Sequence, residues 1–367
     1  MKFLKSLLVG SFFLFSFSNS IAQDLKPGFD KAEYRELIYI ATQSTESPEK
    51  AKLIPQPEHS KLVYRSKPIG LDNLWELWLK DGNTAVLCTR GTTEKGESWL
   101  ANLYAAMTPA KGELKISNSD TFQYELSTNK DAAVHTGYLL STAFISKEMI
   151  PKIDSCYNSG IKNFIIMGHS QGGGISYLLT AYFYSLQSKG KLPADIRFKT
   201  YCSAAPKPGN LYFAYDYERK TQNGWAFNVV SAADWVPQTP FSVETPEDLP
   251  IVSPIAMVEE TIKSQTFFKR MFLNMVYGKL TDPSRKTVKT YQKLLGKEMA
   301  KRVKEFLPEF VPPPFYNSNN YVRTGNTIVL YPNPNDANYY EKFPNNTKDI
   351  MMHHSFPPYL YLLNQLD

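Results

Sequence analysis

The sequence predicts an α/β fold: a mostly parallel central sheet flanked by helices, followed late in the chain by a helical insertion. Three observations carry that prediction. Compact apolar strands alternate with helical stretches between residues 84 and 231, the pattern of a parallel sheet covered on both faces. One strand-to-helix junction, at 168–172, reads Gly-His-Ser-Gln-Gly. The stretch 241–316 then loses strand signals, carries several helical stretches and ends on Pro308, Pro312, Pro313 and Pro314. It reads as a helical insertion closed by a stiff linker.

Composition agrees with a globular chain. Of 367 residues, 43% are hydrophobic and 21% charged, which excludes wholesale disorder. With 19 Gly and 3 Cys, collagen-like and disulfide-scaffold readings fail as well. A net charge of +6 is mild for this length and does not by itself indicate nucleic acid or membranes. Its distribution is uneven: residues 263–304 hold 12 Lys plus Arg against 2 Asp plus Glu.

Residues 1–22 read as a secretory signal peptide. Lys2 and Lys5 form the basic start, Leu7 to Phe17 an apolar run too short for a comfortable span, and Ser20 and Ala22 the small residues of a cleavage site. Cleavage before Gln23 is expected, with export to the periplasm or the extracellular space. Residues 23–367 are then expected to form a single domain carrying the cap-like insertion at about 241–316. Cys88 and Cys202 fall inside strands, where a small buried thiol is the expected role.

Taken in order, residues 29–43 form an amphipathic helix, 61–66 and 74–80 a strand pair, and 84–89 a compact apolar strand. Residues 98–107 suggest a helix or lid segment. Helical periodicity covers 135–150 and runs to about 159 past Pro151. A strand at 163–167, a tight turn and a helix at 172–188 follow. Strands at 197–203, 225–231 and 327–331 complete the sheet.

The chemistry centres on Gly168-His169-Ser170-Gln171-Gly172. A G-x-S-x-G run between a strand and a helix is the nucleophile elbow of the α/β hydrolases, whose sharp turn lifts the serine hydroxyl above the sheet. Ser170 is the candidate nucleophile, and it needs a base held by an acid. In this fold the chain order is Ser, acid, His. Of the five histidines, at 59, 135, 169, 353 and 354, only His353 and His354 follow Ser170 outside the elbow itself. Asp234 suits the acid, because it follows the strand at 225–231 and precedes Trp235-Val236-Pro237. Asp216 competes but reads as a solvated loop acid with no strand before it. The oxyanion donors are Gln171, the residue after the nucleophile, and Thr92 in the Arg90-Gly91-Thr92 turn after an earlier strand. Arg90 itself reads equally as a structural ion pair at the sheet edge. No cofactor is required, and the histidines and cysteines lack metal-ligand spacing.

Five segments in order resemble the class 3 lipases, the fungal-lipase-like branch of the α/β hydrolases. Ala85 to Leu103 is similar to that family's strand, Arg-Gly-Ser/Thr turn and Trp-bearing lid. Val134-His135-Thr136-Gly137-Tyr138 is similar to its Val-His-x-Gly-Phe segment, and Ser203 to Asn210 to its Ser-Pro-Arg-Val-Gly-Asn signature. Asn228 to Pro237 resembles the acid loop, and His354-Ser355 with Tyr359 the terminal base segment. The resemblance implies Ser170, Asp234 and His354 as a triad, Thr92 and Gln171 as oxyanion donors, and His354 over His353. Gln171 departs from the family's usual leucine, and 120 residues separate Asp234 from His354, a long interval.

The function implied is a secreted serine carboxylic-ester hydrolase, lipase-like, acting on acyl lipids through an acyl-enzyme. A phospholipase, a short-chain esterase or a polysaccharide acyl esterase would share the triad, and a non-catalytic lipid-binding protein is the remaining alternative. Partners would be the acyl-ester substrate and, through the basic insertion, an anionic lipid interface, but no nucleic acid. Val288, Tyr291, Leu295, Met299, Val303 and Phe306 recur at helical spacing. They predict a helix packed on the body with a solvated basic face, or a cap that opens at anionic lipid surfaces.

Overall fold

The computed structural model describes residues 25–44, 52, 54–250, 252–255, 257–333 and 337–366; the leader read at 1–22 lies outside them. The main sheet has seven strands, β1 (Ser60–Arg65), β2 (Trp75–Lys80), β3 (Thr84–Thr89), β4 (Asn163–His169), β5 (Arg197–Ser203), β6 (Ala226–Ser231) and β7 (Asn326–Leu330). They lie side by side in chain order. The first three pair antiparallel and β3 to β7 pair parallel.

Burial explains this order. Every residue of β3, β4 and β6 is buried, as apolar strands between two helical layers should be. β1 exposes most of its length and sits at the edge. Successive residues of the central strands feed opposite cores. Leu87, Phe164 and Ile166 join helices Thr136–Asn158 and Gln171–Ser188 on one face. Val86, Ile165 and Met167 join helices Lys31–Thr42 and Phe356–Gln365 on the other. Asp30 starts the first of these helices by accepting the N–H groups of Ala32 and Glu33.

The expected elements are present with shifted ends. Helix Thr136–Asn158 does continue through Pro151, and Gly96–Leu103 is helical. The segment around Asp216, read as a loop, is instead the helix Leu211–Thr221, capped by the Asn210 side chain on the Phe213 N–H. A small sheet of Met107–Pro109, Ala133–His135, Gly209–Asn210 and Tyr321–Val322, and a hairpin of Lys111–Lys115 with Thr121–Glu125, are additions.

Between Asp234 and His354 lie helices Val258–Lys263, Phe267–Tyr291 and Met299–Phe306, the last two joined by a π-helical turn, Gln292–Glu298. The apolar stripe packs on the body at Val288 and Val303, both buried, whereas Phe306 is 47% exposed. Gly296 makes the close approach possible, since a Cβ there would lie 2.7 Å from the Phe315 ring and 2.9 Å from Ala106. The Leu295 carbonyl accepts the Ala106 N–H at 3.0 Å, which ties the π turn to the body.

His135 starts helix Thr136–Asn158. Its Nδ1 accepts the Tyr138 N–H, its Nε2–H donates to the Asn102 carbonyl, and its ring stacks 3.8 Å from that of Tyr138. Burial lowers its pKa to about 3, against a smaller opposing effect of the Asn102 carbonyl. His169 is lowered to about 3 as well, by burial first and then by nearby His354. Both are neutral when folded, while the unfolded chain binds a proton at each below about 6.5. Their contribution to stability is therefore complete above pH 6.5 and declines as pH falls toward 3, by up to about 1.4 kcal/mol per unit for each. The midpoint of thermal unfolding should fall between pH 7 and pH 5, and less so in His135→Asn than in the parent. Equal falls would contradict the buried neutral histidine.

Candidate active site

The site begins at a backbone turn. Ser170 joins β4 to helix Gln171–Ser188 with φ 60° and ψ −132°, a region that L residues occupy at a cost of about 1–3 kcal/mol. The surroundings enforce it. The Ser170 N–H donates to the Ser203 carbonyl at 2.9 Å, and its carbonyl accepts from Gly173 and Gly174. Gly172 passes so near β3 that a Cβ would lie 2.2 Å from the Thr89 carbonyl oxygen. The result is a serine hydroxyl raised at the C-terminal end of the parallel strands.

Ser170, His354 and Asp234 come together there. His354 Nε2 is 2.7 Å from Ser170 Oγ, and Nδ1 is 2.8 Å from Asp234 Oδ2. The Asp234 carboxylate is fully buried and also accepts from Tyr359 Oη at 2.8 Å and the Val236 N–H at 2.9 Å. Tyr359 in turn accepts the Ser231 N–H. Trp235 Nε1 donates to the Ile350 carbonyl at 2.7 Å and so ties the acid loop to the segment carrying the base. His353, the other candidate, faces away: its nitrogens meet Tyr339 Oη and Asn345 Oδ1.

His169 lies under the base. Its Nε2–H donates to the His354 backbone carbonyl at 2.8 Å, which fixes the tautomer and leaves Nδ1 to accept from Ser203 Oγ at 3.0 Å. Ser203 Oγ then accepts from Tyr34 Oη. A carbonyl beneath the histidine loop is thereby held by a chain of donors running in one direction.

Thr92 and Gln171 flank Ser170. Gln171 is the first residue of its helix, where backbone N–H groups lack an intrahelical acceptor and the dipole favours negative charge. Its side chain turns away and donates Nε2–H to the Ser98 carbonyl at 2.8 Å, so the departure from leucine fastens helix Gly96–Leu103. Thr92 Oγ1 accepts from Asn102 Nδ2 at 2.9 Å, which leaves its own hydroxyl proton to donate. Tyr138 Oη donates to Asn102 Oδ1 and orients that amide. The Thr92 turn is held by Asp72, which accepts from Arg90, Thr93 and Lys95 at 2.8–2.9 Å. Arg90 is thus the structural ion pair.

Asp216 corrects an expectation. It is no solvated loop acid: it sits in helix Leu211–Thr221, 6% exposed, with Arg219 at 2.7 Å and Lys220 at 2.8 Å. Burial raises its pKa, and the hydrogen bonds from Lys220 and Arg219 outweigh that and bring it to about 2. It belongs to the scaffold.

Ser170 and Thr92 open on a cavity of about 230 Å³ whose walls include Leu103, Val236, Tyr291 and Leu295. A hydroxyl bonded to an imidazole that is backed by a buried carboxylate can surrender its proton as it attacks a carbonyl carbon. Donors beside it can hold the developing oxyanion. Sequence reasoning missed Asn102, Asp72 and the His169 chain, since contacts ten to 185 residues apart leave no local pattern.

Residues 86–244, under half of the chain, match the family described as Lipase (class 3). No curated protein matches the chain significantly. Among solved structures it is similar to the Rhizomucor miehei lipase propeptide complex, at 20% identity and a TM-score of 0.40, over 58% of this chain and 65% of that one. For the lipase from Rhizopus microsporus var. chinensis the values are 21%, 0.39, 57% and 69%. For lipase II from Rhizopus niveus they are 22%, 0.40, 57% and 75%. The chain thus spans a little less than two thirds of the length of the Rhizomucor protein. What the comparisons give is therefore a match to the class 3 lipase family over residues 86–244.

Proposed function

We propose that the protein is an exported serine carboxylic-ester hydrolase of the lipase kind, cleaving acyl esters through an acyl-enzyme. The observation that carries this reading is the hydrogen-bonded line from Ser170 through His354 to buried Asp234, opening on an apolar cavity. Ser170 Oγ attacks the ester carbonyl carbon while His354 Nε2 takes the hydroxyl proton. Asp234 holds the imidazole in the productive tautomer and stabilises the imidazolium. The backbone N–H of Gln171 and the hydroxyl of Thr92 receive the oxyanion. The intermediate collapses, the alcohol leaves with the proton from His354, and the acyl group remains on Ser170. Water activated by His354 then releases the acid.

The cavity supports an acyl chain as the recognised group. Leu103, Val236 and Leu295 offer dispersion and burial, with few groups to match sugar hydroxyls. Helix Gly96–Leu103 covers one side and presents Trp99 and Leu103 at the mouth, 41% and 45% exposed. Export rests on the basic start, short apolar run and small residues of 1–22.

Three outcomes test this reading. Ser170→Ala should abolish turnover of p-nitrophenyl butyrate while leaving the thermal unfolding midpoint within a few degrees; turnover that survives assigns the chemistry elsewhere. Asn102→Ala frees the Thr92 hydroxyl to rotate, so kcat should drop by about 10- to 100-fold with KM changed little. A loss confined to KM would mean that Asn102 serves binding only. Expressed from its full sequence in a secreting host, the exported protein should begin at Gln23, as read by N-terminal sequencing; an intact Met1 start on the exported protein would contradict the leader.

A further inference from the structure

The segment between the candidate acid and base carries a surface that the hydrolytic site does not use. Helix Phe267–Tyr291 packs at its C-terminal end, where Val288 is buried and Tyr291 lines the Ser170 cavity. Its N-terminal half is solvent-exposed and apolar. Phe267, Phe268, Met271, Phe272, Met275 and Val276 are 37–78% exposed. At 100° per residue these six fall within one half of the helix circumference. Six large apolar side chains on one exposed helical arc form a patch that water disfavours, and such a patch marks a contact surface.

Charge identifies what it contacts. Lys263, Lys269, Arg270 and Lys279 border the arc, all exposed, and no Asp or Glu occurs from 263 to 281. Phenylalanine and methionine flanked by lysine and arginine suit an interfacial helix, whose apolar arc enters the acyl boundary while the cations meet anionic headgroups. Among the described residues no helix is long and apolar enough to cross a membrane, so the contact is peripheral. The stripe from Val288 to Val303 is turned onto the body, as the packed-helix reading expects. The helix is also continuous with the site: about 36 Å separates Phe267 from Tyr291 along its axis at 1.5 Å per residue, and Tyr291 is a wall of the cavity.

We propose that the arc from Phe267 to Val276, with its bordering cations, docks the protein on an anionic lipid surface and so brings the Ser170 cavity to its substrate. What the docked protein does there rests on the ester-hydrolase reading; the docking itself is measured separately. The test uses the full chain with vesicles of phosphatidylcholine alone and of phosphatidylcholine and phosphatidylglycerol in equal parts. The parent should co-sediment with the mixed vesicles and at least about tenfold less with the neutral ones. Phe268→Asp with Phe272→Asp should lower mixed-vesicle binding at least about tenfold. Lys269→Glu with Arg270→Glu should lower it severalfold.

Both pairs should keep p-nitrophenyl butyrate turnover within about twofold, because neither touches the cavity, and should lose turnover of the same ester class presented in the mixed vesicles. Unchanged vesicle binding in the Phe pair overturns the proposal. So does equal binding to both vesicle types. A dimer by sedimentation velocity that the Phe pair converts to monomer, with vesicle binding retained, assigns the arc to a second copy and likewise overturns it. A parent that binds vesicles but turns over no soluble ester keeps the docking surface and removes the hydrolase reading instead.

Discussion

The backbone of Ser170, held at φ 60°, is the constraint on which the rest of the structure depends. A parallel strand and the helix after it can meet at so sharp an angle only if the intervening residue leaves the favoured regions and its neighbours are bare of side chains. Gly172 against the Thr89 carbonyl supplies that bareness. The hydrogen bonds of Ser170 to Ser203, Gly173 and Gly174 over-determine the turn. Once it is set, the hydroxyl stands above the sheet. The helix then begins at Gln171, so an anion beside the serine meets the positive end of the helix.

The same economy appears in the electrostatics around the turn. A buried carboxylate is costly unless its lone pairs are filled, and Asp234 accepts from His354, Tyr359 and Val236. The strands behind it supply the remaining order: Ser231 of β6 anchors Tyr359, and Ser203 at the end of β5 anchors both the Ser170 backbone and the His169 ring. His169 stays neutral because it is buried. It can therefore give its single N–H to the His354 carbonyl without placing a positive charge beside the imidazole to which we assign the role of base. The elbow histidine and the base are thus parts of one hydrogen-bonded unit.

Much of this was legible in the sequence because it is local. The elbow, the buried strands and the helix through Pro151 are written in contiguous residues whose periodicity or spacing states their geometry. Ser170 and the loop position of Asp234 were readable on the same ground, and the choice of His354 over His353 needed the family's Ser355 and Tyr359 spacing. Other features were hidden for physical reasons. The small sheet pairs two- and three-residue strands, too short to show alternation. Helix Leu211–Thr221 has Tyr and Asp at positions of weak helix propensity and is held by the Asn210 cap and by packing. Asn102 gains its role from Tyr138 and Thr92, residues that meet only after the chain folds. The apolar half of helix Phe267–Tyr291 read as ordinary helix because periodicity does not say which face the body leaves uncovered.

The most direct test of the central claim is to treat the folded protein with a fluorophosphonate ester and locate the adduct by peptide mass spectrometry. A serine activated by the His354–Asp234 pair should carry a single phosphonyl group, on Ser170. Labelling should fall to background in His354→Ala, because Ser170 then loses the imidazole that accepts its hydroxyl proton. Absence of an adduct on Ser170 in the parent, or equal labelling after loss of His354, would contradict the account.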